Sequence, residues 1–450
     1  MLRRVAIGYQ EFEDIISNNL FYIDKTLFIK EWWEKRDLVT LITRPRRFGK
    51  TLTMSMVENF FSVTRGKNAA LFQNLKIWKE EAYRELQGTF PVLFLSFADV
   101  KEVTFEQTKK LICEVIVDLY NQYSFLCEGD LLNQKEKDYF QRISSDMEEH
   151  EISISLRRLS DYLYQFYGKK VIILLDEYDT PMQEAYMYGY WEKLTAFTRS
   201  FFNATFKSNP YLERALMTGI TRVSKESIFS DLNNMEVVTA TSSKYAEVFG
   251  FTETEVLEAL KEYGLSDKFR EVKRWYDGFT FGNKTDIYNP WSVIHYLDKQ
   301  KVGPYWANTS SNSLIGKVIR EGSCQIKESF ECLLAGESIT TQMDEQIVYH
   351  LDLDENAIWS LFLASGYLKI AGSKEQEMPY GDWKQTYELS ITNFEVMVMF
   401  RDMVRGWFAS SASNYNAFIK ALLRDDLKAM NAYMNRTALA TFSFFDSGNK

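Results

Sequence analysis

Five consecutive aliphatic residues, Val171-Ile172-Ile173-Leu174-Leu175, run straight into Asp176 and Glu177. A strand with one wet face alternates apolar and polar residues. An unbroken aliphatic run bounded by charge suits a strand covered on both sides, as in a parallel sheet with helices on both faces. The fold class expected is therefore α/β. The run also leaves two carboxylates at the carboxyl end of a buried strand, the edge at which open α/β sheets bind ligands. Asp179, Thr180 and Pro181 then read as the cap and first turn of the next helix.

A second segment answers the first. Residues 38–43 form a short apolar, β-branched run, and Leu52, Met56, Val57 and Phe60 recur at helical spacing. Between them lies Arg44-Pro45-Arg46-Arg47-Phe48-Gly49-Lys50-Thr51. Strand, tight loop and helix N-terminus are what a phosphate-binding loop requires, because backbone N–H groups and the helix dipole converge on the anion. Gly49 lets the backbone approach without a Cβ. Lys50 would neutralise the β- and γ-phosphates of ATP, and Thr51 would supply a hydroxyl ligand to Mg²⁺. Arg44 through Leu52 is the candidate nucleotide-binding stretch. It departs from GxxxxGK[ST], since Arg44 stands where the first glycine belongs and Pro45 lacks an N–H. A Gly-Lys-Thr alone is common. The acidic strand end completes the case, with Asp176 placed to hold Mg²⁺ and Glu177 to orient and polarise the attacking water.

Two more strands are expected, at 91–97 (PVLFLSF) and 214–219 (RALMTG). The second ends in Thr218, where an AAA-like arrangement places a polar residue that senses the γ-phosphate. Arg222, just beyond, either approaches the phosphates in its own or a neighbouring subunit or serves as a structural ion-pair partner. Residues 104–120 read as an amphipathic helix opened by Thr104-x-x-Gln107, with Leu111, Ile112, Val115, Ile116 and Leu119 on one face. It would cover the sheet.

On these residues the chain resembles the AAA-ATPase-like family, predicted P-loop ATPases commonly joined to a C-terminal PD-(D/E)XK nuclease-like domain. The marks are FYIDKT (21–26), TRPRRFGKTLT (43–53), LLDEYDTP (174–181), TGITRVSKESIFSDLNN (218–234), WYDGF (275–279), YNPWS (288–292) and SGYL (365–368). That family carries Arg at the position of the first glycine, so the resemblance makes Arg44 a family trait. Related ATPases place a segment like FYIDKT against the adenine. Tyr22 and Asp24 are the candidates here, with Lys25 near the nucleotide, although Phe21 and Tyr22 suit a core equally. The family's nuclease-like domain would begin near where this sequence stops. No Asp…Glu-x-Lys cluster stands in the last third, so nuclease activity is not expected of these residues.

Residues 1–245 are expected to form the ATPase core and 246–340 a helical lid, with the aromatics of WYDGF and YNPWS as packing. Residues 341–450 would be a winged-helix-like and C-terminal helical region. Its helix and two strands (367–371 and 385–391) lack a marked basic cluster, which favours protein docking or a lid role over DNA. The net charge of −9 also weighs against a broad nucleic-acid surface. Four cysteines without CxxC spacing and three histidines argue against structural zinc and suit reduced thiols in the cytoplasm. No segment is apolar enough for a membrane span or a signal peptide. The expected ligands are ATP or ADP with Mg²⁺. The expected activity is ATP hydrolysis coupled to a conformational or nucleic-acid-linked process. The alternative is a nucleotide-gated switch that holds ATP without turning it over and acts through a protein partner or self-association.

Overall fold

The computed structural model describes residues 2–223, 228–229, 232–307, 309, 315–316, 318–319, 322–343, 355–377, 383–409, 421 and 426–441. Parts of the 218–234 motif and the final stretch, 442–450, lie outside them. The described residues fall into two compact units. The first holds the chain up to Tyr263 together with Phe281–Lys284, and the second holds Gly264–Thr280, the chain from Thr285 to 343 and the described residues from 355 onward.

The aliphatic run is a strand of the first unit, and its whole length is buried. Five strands, β1 (Val39–Thr43), β2 (Val92–Ser96), β3 (Val171–Asp176), β4 (Leu212–Gly219) and β5 (Met235–Val238), form one sheet in the order β2-β3-β4-β1-β5. All its pairings are parallel. Parallel neighbours require crossovers, and helices supply them on both faces. Val171, Ile173 and Leu175 point to one face, in a core with Ile112, Ile116 and Leu119 of helix Phe105–Gln122 and Leu156, Leu159 and Leu163 of helix Glu149–Tyr167. Ile172 and Leu174, equally buried, alternate to the other face, where helix α1 (Lys50–Phe61) runs along β2 and β3. This is the α/β sheet of a P-loop NTPase-like domain. In this order β4 separates the strand of the basic loop from the strand of the acidic end. The registers Ile42↔Thr218 and Ser96↔Asp176 bring the carboxyl ends to one edge.

Local signals set the helix ends. Thr104 caps helix Phe105–Gln122 by accepting from Gln107 N at 3.4 Å. Thr252 and Glu255 form a two-way capping box on helix Glu253–Glu262 (3.4 and 2.8 Å). No helix among the described residues is long and apolar enough to cross a membrane.

In the second unit, β6 (Ile339–Thr341), β7 (Leu368–Glu377) and β8 (Trp383–Ile391) form an antiparallel sheet in the order β7-β8-β6. The hairpin is longer than its sequence expectation and gains a third strand. Asn289 of YNPWS caps helix Pro290–Lys299 through Ser292 N (3.1 Å), with Pro290 at its first position. In WYDGF, Gly278 has φ +110°, and a Cβ there would lie 2.1 Å from Thr392 O. A side chain at that position is excluded, which explains the glycine.

Candidate nucleotide and metal site

After Thr43 the chain leaves β1 and turns through two left-handed residues, Arg47 (φ +64°) and Gly49 (φ +82°), into α1. No side chain caps the first turn of α1. Its amides therefore keep the unsatisfied donors that favour an anion. Lys50, 3% exposed, lies inside the loop, and its Nζ donates to Arg44 O and Pro45 O, both at 3.2 Å. The next side chain crosses to the acidic strand, Thr51 Oγ1 donating to Asp176 Oδ2 at 2.7 Å. Thr218, at the end of the intervening β4, donates to Asp176 Oδ1. Burial pushes the Asp176 carboxyl up from its ordinary value and the charge of Glu177 adds to this, against the two threonine hydroxyls and Lys50.

Glu177 has φ +53°, a left-handed conformation that costs a non-glycine residue about 1–3 kcal/mol. Its Oε1 lies 3.3 Å from Lys50 Nζ. Lys50, Thr51, Asp176, Glu177 and Thr218 therefore form one cluster at the carboxyl edge of the sheet. Its chemistry fits the groups expected there. A carboxylate beside two hydroxyls is an all-oxygen set of the kind that holds Mg²⁺. A lysine beside uncapped helix amides suits phosphates.

The remaining candidates are placed differently from one another. Arg46 and Arg47 are exposed beside the loop, with Arg46 Nη2 3.3 Å from Gln183 Oε1. Leu52 is half-buried in the first turn of α1. Phe48 is buried and meets Phe281 edge-on at 5.7 Å, and Pro45 is buried next to Arg44. Arg44 is 1% exposed. Its Nη1 donates to Thr43 O and Thr239 O (both 2.8 Å), and the guanidinium lies 4.3 Å from the centre of the Phe281 ring. Its Nε and Nη2 find no hydrogen-bond partner among the described residues, and burial pushes its pKa down to about 9. Arg44 thus ties the ends of β1 and β5 to the Phe281 segment. Asp24 is engaged locally, accepting from Thr26 N (2.9 Å), Thr26 Oγ1 (2.6 Å) and Lys76 N (2.7 Å). Tyr22 packs edge-on against Phe12, with its hydroxyl 3.7 Å from Met56 Sδ. Lys25 pairs with Glu255 at 2.6 Å.

Asp179 occupies the cap position before helix α2 (Thr180–Tyr188) but makes no side-chain cap. The reading of this carboxylate as a helix cap is therefore corrected. It is fully buried and accepts instead from Ile220 N (3.1 Å), Thr221 N (2.8 Å) and Thr221 Oγ1 (2.8 Å). Tyr178 joins it, its hydroxyl donating to Thr221 O (2.7 Å) and accepting from Val223 N (3.0 Å). Gly219 admits this approach, since a Cβ there would fall 2.6 Å from Asp179 Oδ1 and 2.7 Å from Tyr178 Cε1. The sequence signal for this grip was weak. Asp-Thr-Pro is an ordinary helix start, and nothing in it names the partner strand. Arg222, inside the gripped segment, is half-buried and makes no ion pair among the described residues.

The parallel sheet with helices on both faces is that of a P-loop NTPase-like domain. A family model described as Predicted AAA-ATPase matches residues 6–229. WYDGF, YNPWS and SGYL lie beyond the matched span. The chain is also similar to a protein of Azotobacter chroococcum mcd 1 described as an uncharacterized protein in vnfD 5'region. The two are 25% identical over 322 residues, which is 71% of this chain and 56% of that relative. The chain thus spans little more than half the length of that relative.

Proposed function

We propose that this chain binds ATP with Mg²⁺ at the Lys50–Asp176 cluster and hydrolyses it, as an ATPase of the AAA/STAND type. The observation that carries the reading is the 2.7 Å link between Thr51 and Asp176, residues 125 positions apart that two separate motifs had singled out. Arg44–Leu52 would wrap the phosphates with backbone N–H groups, Lys50 would neutralise them, and exposed Arg46 and Arg47 would add positive charge. Thr51 and Asp176 would hold Mg²⁺, which, when bound, offsets the charge of the phosphate oxygens. Phosphates compete with Glu177 for Lys50, so binding would release Glu177 to hold and polarise water. Thr218 would register the γ-phosphate through its bond to Asp176, and Arg222 would contact the phosphates. For Tyr22 a role beside the adenine remains part of this reading. Asp24 would serve by shaping the segment that carries Tyr22, because its oxygens are engaged by Thr26 and Lys76.

Hydrolysis would drive a conformational change, in the cytoplasm, in a chain built as ATPase core (1–245), helical lid (246–340) and winged-helix-like region (341–450). The helix Glu355–Ala364 followed by the β7–β8 hairpin supports the winged-helix element. A protein partner or a second copy suits the acidic chain better than nucleic acid. A second reading, a nucleotide-gated switch without turnover, draws on the Lys50–Glu177 pair, which holds the lysine and the carboxylate together in a resting arrangement. Titration with labelled ATP and a phosphate-release assay separate the two. Lys50→Ala should lose ATP binding, and normal affinity in that variant would defeat the site. Tight binding with negligible release by the wild type would favour the switch.

A further inference from the structure

We propose that Tyr178 and Asp179 are positioning residues that set where Arg222 stands, so that Arg222 moves as one piece with the Asp176-Glu177 strand end. This rests on the ATPase reading above. The argument starts from chain order. The residues immediately after Glu177 fold back onto the segment that leaves β4. Tyr178 N donates to Thr218 O at 2.9 Å. Asp179 then takes Ile220 N and Thr221 N, and the Tyr178 hydroxyl takes Thr221 O and Val223 N. The backbone is thereby held on both sides of Arg222, at Thr221 and at Val223.

The carboxylate is costly to place here. It is 0% exposed, and its hydrogen-bond partners among the described residues are neutral: the two amides, the Thr221 hydroxyl and Gln183 Nε2 at 3.3 Å. A carboxylate buried on neutral donors, repelled by the charge of Glu177 and helped only at a distance by Lys50, is an expensive way to hold a turn. It also leaves the neighbouring helix start uncapped, although it occupies the cap position. Gly219 gives up a side chain so that the contact can close. Arg222 is the one long side chain in the gripped stretch. Among the described residues it forms no ion pair, although it is half-buried. A rigid backbone around a cation that has no ion pair among the described residues, three residues beyond the end of the strand that holds Thr218, is the arrangement expected of a residue reserved for a ligand. The grip then fixes the distance from Arg222 to Glu177.

A double-mutant cycle on the full chain with Mg·ATP tests this, using Tyr178→Phe, Asp179→Asn and Arg222→Ala singly and in pairs. Tyr178→Phe and Asp179→Asn should each lower kcat about tenfold or more with KM changed less than about twofold, because a small misplacement of a catalytic cation costs rate rather than binding. Neither should lower kcat further once Arg222 is alanine. Reductions that multiply in the Arg222→Ala background overturn the proposal, as would full kcat in both single variants. Tyr178→Phe removes only a hydroxyl and decides the matter alone if Asp179→Asn does not fold. A wild type that hydrolyses ATP while Arg222→Ala has no effect overturns this inference and leaves the ATPase reading standing. A wild type that binds ATP without turnover overturns the hydrolysis reading and this inference with it.

Discussion

Glu177 combines a left-handed backbone with an ion pair to a buried lysine, and both features can be tested one residue at a time. A glutamate at φ +53° is strained by its Cβ, which glycine lacks. Glu177→Gly should therefore be more stable than Glu177→Ala by about 1 kcal/mol, read from denaturant midpoints, and equally inactive. The reverse order of stability would show that the strain is absent. Glu177→Gln keeps the shape and removes the charge. It should still bind ATP, with turnover lowered about 10²-fold or more, the loss expected when a general base is removed. Unchanged phosphate release would show that the carboxylate does not act on water. Gly219 offers a steric test at the same scale. An alanine Cβ would meet Asp179 Oδ1 at 2.6 Å and the Tyr178 ring at 2.7 Å, and both side chains are fully buried. Gly219→Ala should cost about 1–3 kcal/mol, as overpacking does, measured by urea unfolding. A neutral result would mean that the grip on the β4 exit is loose.

The elements differ in how far their sequence disclosed them. β3 was legible because an all-aliphatic run has few other uses, and α1 because its apolar spacing follows a loop with a glycine at the turn. β6 was not. A three-residue edge strand carries too little pattern, and Ile339–Thr341 is defined only by its pairing with Tyr387–Leu389. In the candidate site, the meeting of Thr51 and Asp176 could be anticipated because each ends or begins an element at the sheet edge. Asp179 could not, because the same Asp-Thr-Pro serves a helix cap and a tertiary clamp. Helix Phe394–Ala409 carries another buried carboxylate that sequence alone does not flag. Glu395 accepts from Ser292 Oγ (2.8 Å), Trp306 N (2.6 Å) and Ala307 N (3.3 Å), yet burial outweighs these bonds and pushes its pKa up to about 7. An unfolded glutamate titrates near ~4.3. The folded state therefore holds this proton more tightly. Its contribution to stability is complete below ~4.3, falls as pH rises toward about 7, and is level above. Glu395→Gln keeps an acceptor for Trp306 N and carries no charge. It should flatten the fall in stability between about pH 5 and 7 that this group produces, on the order of a few kcal/mol, in thermal melts across pH. An identical pH slope in the variant would show that Glu395 is already ionised at neutral pH.

At the scale of the whole molecule, the chain carries two separate cores. The first is built on the parallel sheet. The second is built on the antiparallel sheet and an aromatic group in which Phe400 lies 6.0 Å from Phe362 and 5.7 Å from Tyr367. Units with their own cores need not unfold together, so a single two-state transition is not the expectation. Scanning calorimetry should resolve two transitions. The candidate ligand site uses residues of the first unit alone, from Lys50 to Thr218. A ligand that binds only the folded form stabilises by RT ln(1 + [L]/Kd), about 2.7 kcal/mol at one hundred times Kd. Mg·ATP should therefore raise one transition and leave the other in place. Leu174, fully buried in β3, identifies which one, since Leu174→Ala should lower that same transition by about 2–5 kcal/mol. In Lys50→Ala the ligand-induced shift should vanish while both transitions remain, because the lysine contributes to the ligand rather than to either core. A single transition, or a shift that survives in Lys50→Ala, would mean that the two cores melt as one or that the nucleotide binds elsewhere.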